Sequence, residues 1–169
     1  MINWEPFHIC PAGERPPPPR KMHLPDGLGD RMRIAAFAER QAVVAFGWAA
    51  EHFTEAPDSL RQQWRQQVSE EQEHSDLIIS RMAELGFALA ERQVSTGLWD
   101  SLQDCPDAQA FAIAIATAEE RGRLAGLRLV KFLAKSDPKT AALFQKIADD
   151  EVAHVAVATT HFGWRPDGN

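Results

Sequence analysis

Glu39, Glu71, His74, Glu119, Glu151 and His154 form a set of residues that occurs twice along the chain. Glu39 precedes the pair Glu71-x-x-His74 by 32 residues, and Glu119 precedes Glu151-x-x-His154 by the same 32. Four carboxylates and two imidazoles are the donor set that holds two cations between the helices of a bundle. With 13 Glu and 6 His in 169 residues, random placement yields roughly half a Glu-x-x-His, so a single copy says little. Two copies, each preceded by a glutamate at one offset, are much harder to obtain by accident.

Such a set is useful only if the scaffold brings it to one level. The periodicity predicts four helices, the first from about Asp30, read as its N-cap, to Phe53. Ala56-Pro57-Asp58-Ser59 breaks the chain and caps a second helix, which runs to about Leu85 before a stop at Gly86. The third spans about Asp107 to Ala134. Ser136-Asp137-Pro138 then opens a fourth that reaches about Phe162. Residues 87–106 lack a sustained helical pattern, apart from a short turn around Gly97 to Leu102. With turns placed near residues 56 and 136, Glu39 and Glu119 each lie 17 residues before a turn, and Glu71 and Glu151 each lie 15 after it. Antiparallel helices rise equally per residue, so all four carboxylates share one height. The expected fold class is therefore all-α: a four-helix bundle over residues 30–162, built as two antiparallel helix hairpins joined by one long crossover. A proline-rich arm (1–29) precedes it, read as lying across its own bundle, and a short tail (163–169) follows.

Each of the four glutamates interrupts an apolar stripe. Glu39 shares its face with Met32, Ala36, Val43, Phe46 and Ala50, and Glu71 with Trp64, Val68, Ile78 and Met82. Glu119 sits among Ala112, Ile115, Ala116, Gly126 and Val130, and Glu151 among Phe144, Ile147, Ala148, Val155 and Ala158. Such faces point inward. Four buried carboxylates would repel one another at high cost unless cations resolved the conflict. Glu73, with polar neighbours, reads as solvated. Glu70 and Asp150 precede the two motif glutamates and are expected to support the imidazoles across the bundle, Asp150 bonding His74 and Glu70 bonding His154. His161 reads as a core histidine. A small apolar cavity is expected near Ala112, Ile115, Gly122 and Gly126, where the glycines serve either a substrate cleft or close helix packing.

Bulk properties narrow the classes. A formal charge of −6 argues against general nucleic-acid binding, and the basic stretch Arg121, Arg123, Arg128, Lys131 and Lys135 reads as a solvated helix face. Two cysteines without a C-x-x-C exclude an attached rubredoxin-type centre and suggest free thiols in a reducing compartment. No apolar run reaches the roughly 18 residues of a membrane span, and the start lacks an apolar signal core. A cytoplasmic protein is expected, with a homodimer open to it.

The set Glu39, Glu71-x-x-His74, Glu119, Glu151-x-x-His154 resembles the ligand pattern of the ferritin-like di-iron carboxylate superfamily. The strings FAERQAVV, EEQEHSDLI, GLWD, EERG and DDEVAHVAV look like an uncharacterised bacterial family of ferritin-like proteins, distantly related to tRNA-modifying di-iron hydroxylases. In the family's E-x-R-G pattern the ligand corresponds to Glu119 and not Glu120, as the face analysis also has it; His161 departs from the family's usual aromatic. The resemblance implies two iron ions, with manganese or a mixed pair as alternatives and zinc as a substitute, held about 3.5–4 Å apart. It implies O2 as reactant, a small-molecule substrate and an electron-donor protein. A complete absence of tyrosine excludes a tyrosyl-radical reductase subunit, and the short tail disfavours a storage cage. An oxidase or hydroxylase is the leading expectation, and a ferroxidase or oxidative-stress role the alternative.

Overall fold

The computed structural model describes residues 2–166. Among these the chain forms five α-helices and one short parallel strand pair: β1 (His8–Ile9), α1 (Gly27–His52), α2 (Asp58–Glu84), β2 (Gln93–Val94), α3 (Gly97–Gln103), α4 (Ala108–Leu133) and α5 (Pro138–Phe162). The protein is all-α in its main architecture. A four-residue link separates α4 from α5 and a five-residue link separates α1 from α2, and each pair packs along its length as a hairpin.

The stops and starts follow local chemistry. Gly86, at φ +78°, takes the left-handed conformation that ends α2. Asp107 and Asp137 accept from the backbone N–H groups of Ala110 and Thr140, capping α4 and α5, and Pro138 occupies the first turn of α5.

Two apolar clusters divide the core. One joins Phe46, Phe53, Leu60, Trp64, Leu102, Phe111 and Ala158. The other joins Met32, Phe37, Ile78, Met82, Leu133, Phe144 and Ile147. In every long helix the predicted ligands fall in sequence between these two groups, so the site lies between two apolar plugs. The clusters also give the directions: α1 and α5 run from the second to the first, and α2 and α4 run back. The segment from Leu85 to Asp107, carrying β2 and α3, returns the chain from one end of the molecule to the other. Gln41 fastens it, accepting from the Trp99 backbone N–H at 3.0 Å.

The N-terminal start of α1 departs from expectation. Asp30 is not its N-cap: the helix begins at Gly27, and Asp30 lies in its first turn, 2% exposed. Its carboxylate accepts from the Arg20 backbone N–H (2.8 Å), from Arg20 Nε (2.9 Å) and from Arg33 Nη1 (3.1 Å). Arg33, itself buried, also donates to the Ala88 carbonyl and to Glu91. A capping oxygen satisfies one backbone donor; here the carboxylate pins the arm and the crossover to α1. The arm does lie across its own helices. Trp4 and Phe7 pack on Phe37, and β1 pairs with β2 through His8–Gln93 and Ile9–Val94.

Candidate metal centre

Glu39 stands on α1, Glu71 and His74 on α2, Glu119 on α4, and Glu151 and His154 on α5. Their donor atoms assemble into two overlapping groups, each within 4.8 Å: Glu39, Glu71, His74 and Glu151, and Glu71, Glu119, Glu151 and His154. Glu71 and Glu151 belong to both. Each hairpin thus supplies three groups to its own cluster and lends one glutamate to the other. All six predicted residues converge, with Glu119 and not Glu120 in the cluster. Glu120 instead forms a bidentate pair with Arg123. Glu73 is largely exposed and reaches only Lys146.

The imidazoles are oriented from outside. His74 Nε2 lies 3.1 Å from Asp150 Oδ2, and His154 Nε2 lies 2.6 Å from Glu70 Oε2, each support coming from the opposite hairpin. A ring N–H donated to these carboxylates aims the other nitrogen, Nδ1, at the centre. His74 Nδ1 is 3.3 Å from Glu151, and His154 Nδ1 is 2.7 Å from Glu71. These inner approaches are close in distance but lack hydrogen-bond geometry.

That mismatch is concentrated. Eight buried side-chain polar atoms lack a protein hydrogen-bond partner among the described residues. Seven belong to this centre: both oxygens of Glu71 and of Glu151, Oε1 of Glu119, and Nδ1 of both histidines. Buried polar groups are nearly always paired, so the cluster points to a group outside the chain. The donor types, carboxylate oxygen and imidazole nitrogen, suit iron, manganese or zinc.

Protons carry the charge balance in the ion-free chain. Burial, then the neighbouring Glu71 and Glu151, push the Glu39 carboxyl well above its usual range; burial, then Glu151 and Glu71, do the same to Glu119. Burial opposes charge on Glu71 as well, but the two imidazoles outweigh it and hold Glu71 low, at about 2. Burial would depress the imidazoles, yet the adjacent Glu151 and Glu71 raise His74 to about 10 and His154 to about 12. Cations entering such a site displace protons, because they require neutral imidazoles and ionised carboxylates.

A family profile described as "Protein of unknown function (DUF455)" matches residues 10–167. The chain belongs to the DUF455 family. No curated protein and no solved structure gives a match. For this DUF455 protein, then, chemistry has to be read from the site.

Two sequence expectations change here. His161 is not a core residue: it is half-buried near the end of α5 and pairs with Gln63 Oε1 at 2.8 Å. The expected cavity is present but shifted. It is lined by Phe46, Trp64, Gln67, Ala112, Ile115, Ala116, Val157 and Ala158, together with Glu119 and His154. Gly122 and Gly126 lie outside it. Neither close packing nor a cleft demands these glycines: a Cβ at Gly126 would make only ordinary contact with Phe144, at 3.7 Å, and one at Gly122 would face open space. Gln67 escaped the sequence reading, although it lies four residues before Glu71 and so on the same helical face. No helix among the described residues is long and apolar enough to cross a membrane.

Proposed function

We propose that this protein is a ferritin-like di-metal protein that binds two redox-active ions, iron first and manganese as the alternative, and acts on O2 as an oxidase or hydroxylase. The observation that carries the reading is the sharing of Glu71 and Glu151 between two donor groups. A lone cation needs no shared carboxylates, whereas adjacent cations do. The helix directions described above, with one long crossover between two hairpins, support the ferritin-like assignment.

Glu39 and His74 would hold one ion at its outer side and Glu119 and His154 the other, with Glu71 and Glu151 between them. Paired redox ions bound there would supply electrons to dioxygen jointly. The chain's own contribution is positional. Asp150 and Glu70 fix the imidazole orientations, and the two apolar plugs exclude bulk water. Glu39 and Glu119, whose carboxyls burial and the neighbouring glutamates keep protonated, would give up protons as cations enter. A small-molecule substrate and an electron-donor protein complete the reading. A second reading, iron oxidation or peroxide protection without an organic substrate, gains support from the small space beside the centre, about 10 Å³.

Metal analysis of protein purified from its own host tests the core of this. Two ions per chain, lost in a Glu71→Ala/Glu151→Ala double variant, are expected; one ion or none overturns it. Iron-dependent O2 uptake sustained by a reductant then favours the oxidase or hydroxylase, and a single stoichiometric oxidation of Fe(II) favours the second reading.

A further inference from the structure

The eighth orphaned atom is Gln67 Oε1. Gln67 is 4% exposed, and it is the only uncharged polar residue lining the cavity that also touches Glu119 and His154. The rest of the wall is apolar: Phe46, Trp64, Ile115 and Val157, with Ala112, Ala116 and Ala158 leaving the room. An amide in such a wall, with no protein partner for its oxygen, costs stability. A hydrophobic residue of similar size would fill the position at no such cost. The cavity measures about 10 Å³, close to the minimum that admits one water molecule, roughly 10–15 Å³.

We propose that Gln67 is a positioning residue that holds one water-sized polar ligand, a water molecule or a small ligand of its size, against the Glu119–His154 side of the centre. The amide offers an acceptor to a hydrogen-bearing ligand and, turned over, a donor to an anion. Glu119 Oε1, also orphaned, supplies the second polar contact that a confined water needs. At about 10 Å³ this space, walled in part by Trp64 and Phe46, is too small for an organic molecule as it stands. Only one of the two donor groups is served: the lining includes Glu119 and His154 but neither Glu39 nor His74. The two ends of the centre are therefore inequivalent despite their matching ligands.

The inference rests on the di-metal reading for its role but not for its first test. In a high-resolution crystal structure of the metal-free protein, an ordered water is expected within hydrogen-bonding distance of the Gln67 amide and absent in Gln67→Leu. A dry wild-type cavity overturns the proposal. Thermal unfolding of metal-free Gln67→Leu should match or exceed that of the wild type, whereas a merely structural glutamine would lower it. The protein loaded with Co(II) is then titrated with cyanide, a two-atom ligand, and followed by visible absorption. Gln67→Leu should weaken cyanide about tenfold and leave Co(II) affinity unchanged, while Gln67→Glu should retain the ordered water. Equal cyanide affinity in wild type and Gln67→Leu sinks the positioning role. Failure of Co(II) to bind at all would strike the di-metal reading instead, and the crystallographic result separates the two.

Discussion

The chain buries charge in two places, and the two are built on opposite rules. Around Asp30, three carboxylates (Asp26, Asp30, Glu91) meet three guanidiniums (Arg20, Arg33, Arg92), and each of the six has an opposite charge within 3.5 Å. At the centre four carboxylates meet two imidazoles, and seven buried atoms are left without hydrogen-bond partners. The first cluster is complete in itself and fastens arm, helix and crossover. The second is arranged for something the chain does not supply. Completeness separates architecture from a binding site more sharply than burial does, because each cluster has buried charge at its heart: Asp30 and Arg33 in the first, Glu71 and Glu151 in the second.

The largest expected effect breaks the complete cluster. Arg33→Met takes a buried guanidinium from Asp30, Glu91 and the Ala88 carbonyl while Arg20 still holds Asp30, and should cost about 1.5–3 kcal/mol of unfolding free energy, the usual worth of hydrogen bonds to charged groups, read by urea denaturation. Next comes the outer support of the incomplete cluster. Asp150→Ala or Glu70→Ala should weaken metal binding about 10–100-fold in a competition titration, with little change in the unfolding midpoint of the metal-free protein. Equal losses of stability in both kinds of variant would erase the distinction drawn here.

Acid titration should sharpen it, since the signs are opposite. Burial works against charge on Asp30, but hydrogen bonds from Arg20 dominate and hold its folded pKa below the unfolded value of about 4. The unfolded chain therefore binds the proton more readily. Stability from this cluster is full above about pH 4 and is lost as the pH falls toward the lowered native value. Glu119 is raised instead, so the ion-free fold gains from its protonation, and that gain is lost as the pH rises through its native value. At neutral pH, metal-free Glu119→Gln should unfold at the same temperature as the wild type or a higher one, whereas Asp30→Asn should unfold lower and lose its acid slope. Melting temperatures between pH 3 and pH 8, a window spanning about the usual carboxylate and imidazole ranges, test both signs. Smallest of all, Glu120→Ala removes only its pair with Arg123 and should change stability by about 0–1 kcal/mol, leaving metal affinity unmoved.

The incomplete cluster was the more legible of the two in sequence. Its six converging residues and the supports Glu70 and Asp150 follow from helical spacing, which converts residue number directly into height and face. The Asp30 cluster joins residues from three segments, including an arm and a crossover without periodicity, so no spacing rule exposes it. An Asp just before an apolar helical run reads as a cap, and only the contact with Arg20 shows otherwise. The pairing of β1 with β2 rests on two residues per strand, too short for an alternation to register. Gln67 was hidden differently: within RQQWRQQVSEE it looks like any solvated glutamine until the cavity gives it a side.

The exchange of Glu71 and Glu151 between the clusters has a consequence for how such a centre can arise. A single hairpin carrying Glu39, Glu71 and His74 already holds one of each kind of group: outer carboxylate, shared carboxylate and imidazole. Two identical hairpins facing each other about a twofold axis would lend and receive the same glutamate and so complete both groups without a second design. A site of this kind is within reach of a gene for one helical hairpin that pairs with itself. Fusion of two copies then frees each half to diverge, and the cavity at Gln67, which serves one end only, is the kind of asymmetry that duplication permits.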